Sequence, residues 1–452
     1  MKTDIIIIGA GPGGYEMAAK AVQKGLSVTL VEKGHLGGTC LNRGCIPTKV
    51  LCRNAEVFEL LHNAAAFGVS SQPFSLDFSA VMARKDEVIA QLREGISTLL
   101  AKVNIVQGEG VVKDAHTICV GEESYEADYI VIATGSSPAY LPIEGVELPG
   151  VITSDDLLSC TELPKTLCIV GGGVIGMEFA AIFSSFGTEV TVVEYCKEIL
   201  PNFDKDVAKR LRTVLGKKGV NIVVGAAVKE IKLGEGKLIV SYEQKNKSVA
   251  VECEKVLMSV GRKPIVPNGT EAIGIEVGRR GIVVDENMRT NISNIFAIGD
   301  VNGRCMLAHA ASFQGERALN AIIADKNVTT VKDEIDFSII PGAVFTVPEL
   351  GMVGMTEEQC EAQGIEVTSK KAMFRGNGKA LAMNEPDGIV KLIVRNDDRT
   401  IIGCHICGAH AADLVQEVVV AMNAKMTIDH FKDVIHGHPT LGEVVATAAA
   451  QF

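Results

Sequence analysis

With 452 residues the chain is too long for a single core, and about three domains are expected. Hydrophobic content of 47% beside 22% charged residues is ordinary for a globular protein. The net charge of −11 argues against nucleic acid, whose binding rests on phosphate neutralisation by Lys and Arg.

Met1 leads directly into the apolar run Ile5 to Ile8, with no basic stretch, signal core or Arg-rich transit segment before it. No apolar run approaches the ~20 residues of a membrane span. The expectation is a cytoplasmic chain without membrane contact. Its twelve cysteines form no small-domain framework and read as mostly reduced.

Residues 4–8 (DIIII) predict a buried parallel strand, followed by Gly9, Gly11 and Gly14 in a GxGxxG and by the helix YEMAAKAVQKG, stopped by Gly25. A second strand, SVTLV, ends at Glu32, an acid 18 residues past the last motif glycine, counting 32 minus 14. This is a dinucleotide fingerprint in its full βαβ context. The glycines admit a pyrophosphate to the helix N-terminus, and the acid accepts from a ribose hydroxyl.

Next comes Gly37 to Lys49, GGTCLNRGCIPTK, with Cys40 and Cys45 five residues apart. A bridge between them would close a very short loop and stabilise by only roughly 2 kcal/mol on the chain-entropy estimate. In a regular helix two residues so spaced are about 7.5 Å apart along the axis, so the backbone must bend to join them. Such a bond is easily reduced, and two thiols beside a flavin would form a redox relay.

Residues 53–102 look largely helical and 105–133 strand-rich. The fingerprint then recurs: strand Leu167 to Val170, Gly171, Gly173 and Gly176, the helix MEFAAIFSSF, and EVTVVE ending at Glu194, again 18 residues on (194 minus 176). Two such folds imply two dinucleotides. Residues 220–260 alternate like a small sheet, and IFAIGDV (Ile295 to Val301) predicts a buried strand ending near Asp300, with AHAASFQGERALNAII as the following helix. From Asp336 the character changes to alternating strands, the apolar helix Ala412 to Ala424, HGHPTLGE and a short last helix. Charge runs such as Glu243 to Lys247 read as solvated turns, and Cys404 and Cys407 as strand residues, because a zinc site needs more ligands.

Taken together, GGTCLNRGCIPTK, GGGVIGME, ATGS, GD and HGHPTLGE resemble the pyridine nucleotide-disulfide oxidoreductases, and within them the dihydrolipoyl dehydrogenase branch. The resemblance covers nearly the whole chain. It implies an α/β fold of two Rossmann-like dinucleotide-binding domains plus a C-terminal α+β dimerisation domain. Residues 1–140, completed by 262–335, would bind FAD, 141–261 NAD, and 336–452 would form the interface of a homodimer.

On that resemblance Gly9, Gly11, Gly14, Glu32, Lys33, Thr39, Lys49, Gly110, Thr134, Gly135, Ser136, Asp300, Met306, Leu307, Ala308 and His309 would hold FAD. Gly171, Gly173, Val174, Ile175, Gly176, Glu178, Glu194, Val228 and Gly261 would hold NAD. Glu194 favours NAD over NADP, since a carboxylate repels a 2′-phosphate. The catalytic set would be Cys40 on the substrate side, Cys45 on the flavin side, Lys49 oriented by Glu178, and the base His438 oriented by Glu443. No metal is expected.

Two readings stay open at the C-terminus: Thr440-Leu-Gly-Glu443 is also a capping box, so Glu443 either caps a helix or orients His438. His436 makes an HxH with His438, without further ligands nearby. The expected activity is oxidation of protein-bound dihydrolipoamide with NAD+, the partner being a lipoyl-bearing protein of a 2-oxo acid dehydrogenase or glycine cleavage system. Reduction of another small disulfide and a structural flavin-binding subunit are the alternatives.

Overall fold

Ile5, Ile6 and Ile7 are fully buried, as β-branched side chains are in a strand covered on both faces, and they place the first strand inside a parallel sheet. The computed structural model describes residues 2–70, 73–327 and 336–452. Contacts divide it into two units. One comprises Met1–Val50, Ala80–Ala139 and Gly261–Ile335; the other comprises Leu51–Ser79, Tyr140–Val260 and Asp336–Phe452. The predicted boundary at 335 lies at residues 328–335, outside the described residues.

In the first unit β1 (Lys2–Ile8) pairs in parallel with β2 (Val28–Glu32) on one side and with Glu123–Ile132 on the other. α1 (Pro12–Gln23) connects β1 to β2, with Pro12 in its first turn where a missing N–H costs nothing. Gly25, at φ +85°, lies two residues past its last helical residue. α2 (Gly38–Arg43) and the first turns of α3 (Cys45–His62) follow β2.

The expected strand Ile295–Val301 is shorter than the apolar run suggests. It ends at Ala297, and Asp300 sits in the 3₁₀ turn Gly299–Asn302. Gly299 takes φ +74°, outside the β region, and its N–H bonds to the Gln314 side chain.

The second unit holds the recurring fingerprint. Five parallel strands run in the order Asn221–Val224, Glu189–Glu194, Thr166–Val170, Lys255–Met258 and Val151–Ile152. Of the small sheet expected over 220–260, residues 226–253 form a three-stranded antiparallel sheet while Asn221–Val224 and Lys255–Met258 join the parallel one; its second hairpin turns at Lys245 and Asn246, both at positive φ. The Glu243–Lys247 charge run is that turn. The C-terminal part is a five-stranded antiparallel sheet packed against the helix Ala411–Asn423, over a core that includes Phe374, Val390, Leu392, Ile406, Val415 and Phe431.

A charged cluster lies in this second unit's interior. Lys391, with none of its side chain exposed, places its ammonium 2.7 Å from Asp204 and 2.8 Å from Asp206, and also pairs with Glu357. A buried ammonium is tolerated only when so partnered. Burial alone would raise the Asp206 carboxyl, but hydrogen bonds from Lys371 and Lys391 outweigh it and lower the group from 3.8 to about 2. A carboxyl depressed on folding stabilises the protein above its unfolded value and ceases to do so as pH falls through the folded one. Asp206→Asn is therefore expected to be less stable than the unaltered chain at pH 7, with the gap closing between about pH 4 and pH 2. Thermal unfolding across that range checks this; a gap independent of pH would contradict it.

Candidate active site

The two glycine turns are superimposable in their roles. Gly9 and Gly171 take φ +106° and +107°, so only glycine turns the chain there without strain. A Cβ on Gly14 would lie 2.0 Å from the Gly9 carbonyl oxygen, and one on Gly176 2.1 Å from that of Gly171. The third glycine of each motif thus lets the helix close on its own strand turn. A Cβ on Gly11 or Gly173 would meet nothing within 4 Å. These middle glycines are the N-caps of α1 and of Val174–Ser185, so each helix presents its unpaired first-turn N–H groups to open space, with Val174 and Ile175 opening the second. A helix N-terminus so placed favours an anion, and the residues present fit a dinucleotide in both places.

Each strand-end acid ties its turn together. Glu32 accepts from the N–H groups of Ala10 and Gly34, both at 2.7 Å. Glu194 accepts from Gly172 at 2.5 Å and Cys196 at 2.6 Å. Each carboxylate oxygen keeps lone-pair capacity for a ribose hydroxyl. Lys33 follows Glu32 directly, Val228 lies on the strand Ala226–Leu233, and Gly110 opens a short strand where a Cβ would press within 2.9 Å of Ile8.

The ATGS segment meets Asp300 through Ser136, and Arg262, which sequence reasoning missed, braces that serine. Ser136 donates to Asp300 Oδ2 at 2.5 Å, and Arg262 grips Ser136 at both its hydroxyl and its carbonyl, each at 2.7 Å. Thr134 donates to the Ile265 carbonyl, and the Gly135 carbonyl accepts from Ile265 N–H. Gly261, at φ +115°, leads into Arg262, and strand Arg262–Pro264 pairs with Ser136–Pro138. Met306 and Leu307 lead into helix Ala308–Asn327, which Ala308 and His309 open.

At the thiol pair the backbone bends as the spacing requires. Gly44 (φ −146°, ψ −114°) separates α2 from α3, so Thr39 and Cys40 lie on one helix while Cys45 begins the next. Cys40 is half-buried and Cys45 exposed. The Cys40 thiol is pushed well up by its hydrogen bond to Cys45 and by burial, against the pull of Lys49. Cys40 therefore holds its proton more tightly than an ordinary thiol. A second clamp was also illegible from sequence: Asn42 donates to the Leu36 and Gly38 carbonyls and accepts from Arg93 Nε and Nη2 at 3.2 and 2.7 Å. This pins α2 to α4 (Phe78–Leu99).

At the C-terminus the two oxygens of Glu443 take different partners, and only the orienting contact to His438 matches one of the two open readings. Oε1 lies 2.9 Å from His438 Nδ1, while Oε2 accepts the Thr440 N–H at 2.8 Å. The full capping box is not formed, because the last helix starts at Glu443 itself and the Thr440 hydroxyl donates to the Gly437 carbonyl. The Glu443 carboxyl is lowered by that backbone N–H and by His438. The His438 side chain is 80% exposed. His436 is held differently: its Nε2 meets Glu417 at 2.6 Å and its Nδ1 the Val434 carbonyl, so the HxH does not present two free rings.

Lys49 lies in the first unit and Glu178 in the second, where the Glu178 carboxylate is buried and accepts the Phe345 N–H at 2.9 Å. Cys404 and Cys407 are both buried in the strand Ile401–Gly408, and burial pushes the Cys407 thiol up to about 12.

With this geometry in hand, comparison with known proteins is direct. The pyridine nucleotide-disulphide oxidoreductase family matches residues 3–315, and its dimerisation domain matches residues 340–449. Dihydrolipoyl dehydrogenases from Geobacillus stearothermophilus and from Bacillus subtilis strain 168 are each 39% identical, over 99% of this chain and 96% of theirs. That of Chlamydia muridarum is 38% identical over the same shares. Among solved structures, the Cu(II) complex of RclA, an HOCl-induced flavoprotein disulfide reductase from Escherichia coli, superposes with a TM-score of 0.88 at 30% identity, covering 100% of this chain and 99% of that one.

Glu443→Gln keeps an acceptor for the Thr440 N–H and removes the charge that holds His438. We expect dithiol turnover to fall by roughly 100-fold or more, with FAD content and thermal midpoint unchanged. Steady-state rates on flavin-loaded protein check this, and a loss within twofold would leave Glu443 with its contact to the Thr440 N–H alone.

Proposed function

Because the chain belongs to the pyridine nucleotide-disulphide oxidoreductases, we propose that it oxidises dihydrolipoyl groups carried by a partner protein, with NAD+ as acceptor, through FAD and the Cys40–Cys45 pair. The coarser part follows from family membership: it is a disulfide oxidoreductase that uses FAD and NAD(H). No helix among the described residues is long and apolar enough to cross a membrane. The choice of lipoamide rests on relatives of 38–39% identity that carry the dihydrolipoyl dehydrogenase name over almost their whole length.

In this reading the first glycine turn, Glu32, Ser136 and Asp300 hold FAD, and the second turn with Glu194 holds NAD. A dithiol of the substrate gives its proton to His438 of the partner protomer and attacks Cys40 of the oxidised pair. The Cys40–Cys45 bond breaks and a mixed disulfide forms on Cys40, leaving Cys45 as thiolate. The second substrate thiolate then displaces Cys40, so one substrate disulfide forms as one protein disulfide is lost. FAD held by the first glycine turn would supply the two-electron acceptor for the reduced thiols, and NAD held by the second would supply the hydride acceptor. Lys49 supplies a positive charge beside Cys40, and Glu443 keeps the His438 imidazole turned for proton transfer.

The observation that carries the proposal is the division of labour it finds already made. Cys40, half-buried and bonded to Cys45, holds its proton, while an exposed imidazole with a carboxylate 2.9 Å behind it is available to another subunit. RclA, at 30% identity, keeps open a second reading in which another disulfide is the substrate.

A steady-state comparison of NADH and NADPH against lipoamide and glutathione disulfide separates the readings. We expect NADH with lipoamide to lead by at least roughly 100-fold in kcat/KM; a lead for glutathione disulfide or NADPH would overturn the assignment. Cys45→Ser should abolish lipoamide turnover while FAD stays bound, and steady turnover in that variant would remove the relay.

A further inference from the structure

The buried cluster around Lys391 takes no part in the chemistry above, yet it lies at a join. Lys391 and Glu357 belong to the segment matched by the dimerisation domain, whereas Asp204 and Asp206 belong to the dinucleotide-binding match. All four lie in the second unit. Three carboxylates surround one ammonium; Lys371 adds a second cation at 2.7 Å from Asp206, and the Ser369 hydroxyl donates to Glu357. His405, on the neighbouring strand opposite Lys391, is buried, and its Nε2 lies 2.9 Å from the Met355 carbonyl. Replacing such a cluster by apolar residues of equal volume is often neutral or stabilising, so stability alone does not account for it.

The cluster does lead somewhere. Asp204 divides its carboxylate: Oδ1 caps the helix Lys205–Lys217 through the Asp206 N–H at 2.9 Å, and Oδ2 takes Lys391. One residue earlier, the Phe203 N–H bonds to the Leu200 carbonyl at 2.8 Å, and the Leu200 N–H bonds to the Gly172 carbonyl at 2.9 Å. Gly172 in turn donates to Glu194 at 2.5 Å. A continuous path of short contacts therefore joins Lys391 to the acid at the end of the nucleotide strand. Leu200 is buried at φ +51°, a conformation a leucine adopts only when its surroundings hold it there. Ile199 packs beneath Gly172, within 3.2 Å of where a Cβ would stand.

We propose that Lys391 is a positioning residue for the nicotinamide dinucleotide: by holding Asp204 it fixes loop 195–203 against the glycine turn and so sets the placement of Glu194. The proposal rests on the assignment of the second glycine turn to NAD. It makes nucleotide affinity depend on a side chain of the dimerisation segment that touches neither nucleotide nor thiol.

Asp204→Asn tests it most cleanly, because asparagine remains a good N-cap while the charge pairing with Lys391 is lost. Asp206 and Glu357 still neutralise Lys391 in that variant. The double variant Asp204→Asn with Lys391→Met removes the pair altogether. On flavin-loaded protein, NADH dissociation constants come from fluorescence titration, and KM for dihydrolipoamide and FAD content are measured alongside. We expect both variants to weaken NADH binding by roughly 5- to 50-fold, with FAD content and the dihydrolipoamide KM unchanged. Unaltered NADH affinity in both variants, while Glu194→Ala loses affinity, would overturn the role of Lys391 and leave the NAD site standing. If Glu194→Ala also binds NADH normally, the NAD assignment falls and this inference with it. Parallel loss of FAD, dihydrolipoamide and NADH binding would reduce Lys391 to a structural residue and overturn the proposal.

Discussion

Everything in this protein depends on how closely a helix can approach the turn that precedes it. Gly14 and Gly176 bring their helices so near that a methyl group would collide with the carbonyl oxygens of Gly9 and Gly171. That approach aims the first-turn N–H groups of each helix at the open space beside Gly11 and Gly173, and it places Glu32 and Glu194 where they can bind the turn from the strand side. Steric exclusion at one atom thus produces two anion cradles. The thiol pair follows β2 directly, so its position is inherited from the first of them.

Electrostatics then assigns the roles that geometry leaves equal. Cys40 and Cys45 are chemically identical thiols, but the hydrogen bond between them and the burial of Cys40 keep the proton on Cys40. The same economy appears at Glu443, whose two oxygens serve a backbone N–H and an imidazole at once, and at Asp204, which caps a helix with one oxygen and holds an ammonium with the other. In each case a single carboxylate serves a backbone N–H with one oxygen and a side chain with the other.

How far the sequence reveals this follows from the range of the interactions. Both βαβ units, the fingerprint acids and the bend between Cys40 and Cys45 are legible because they depend on neighbours within about thirty residues and on periodicities that strands and helices impose. The strand at 295 is read too long, since an apolar run does not disclose that Gly299 must leave the β region. Arg262, Arg93 and Lys391 escape for a different reason: their partners Ser136, Asn42 and Asp204 are 126, 51 and 187 positions away, and a lone basic residue in a strand or helix carries no local mark of such pairing. The rival readings of Glu443 were likewise beyond sequence, because a capping box and an oriented histidine use the same spacing.

The central claim is that electrons pass from a substrate dithiol to Cys40, then through a Cys45 thiolate to the flavin. Anaerobic titration of the flavin-loaded protein with dihydrolipoamide tests it most directly. The account predicts a long-wavelength absorption band from thiolate-to-flavin charge transfer, rising to one equivalent. Simple bleaching of the flavin without that band, or no spectral change at all, would contradict it.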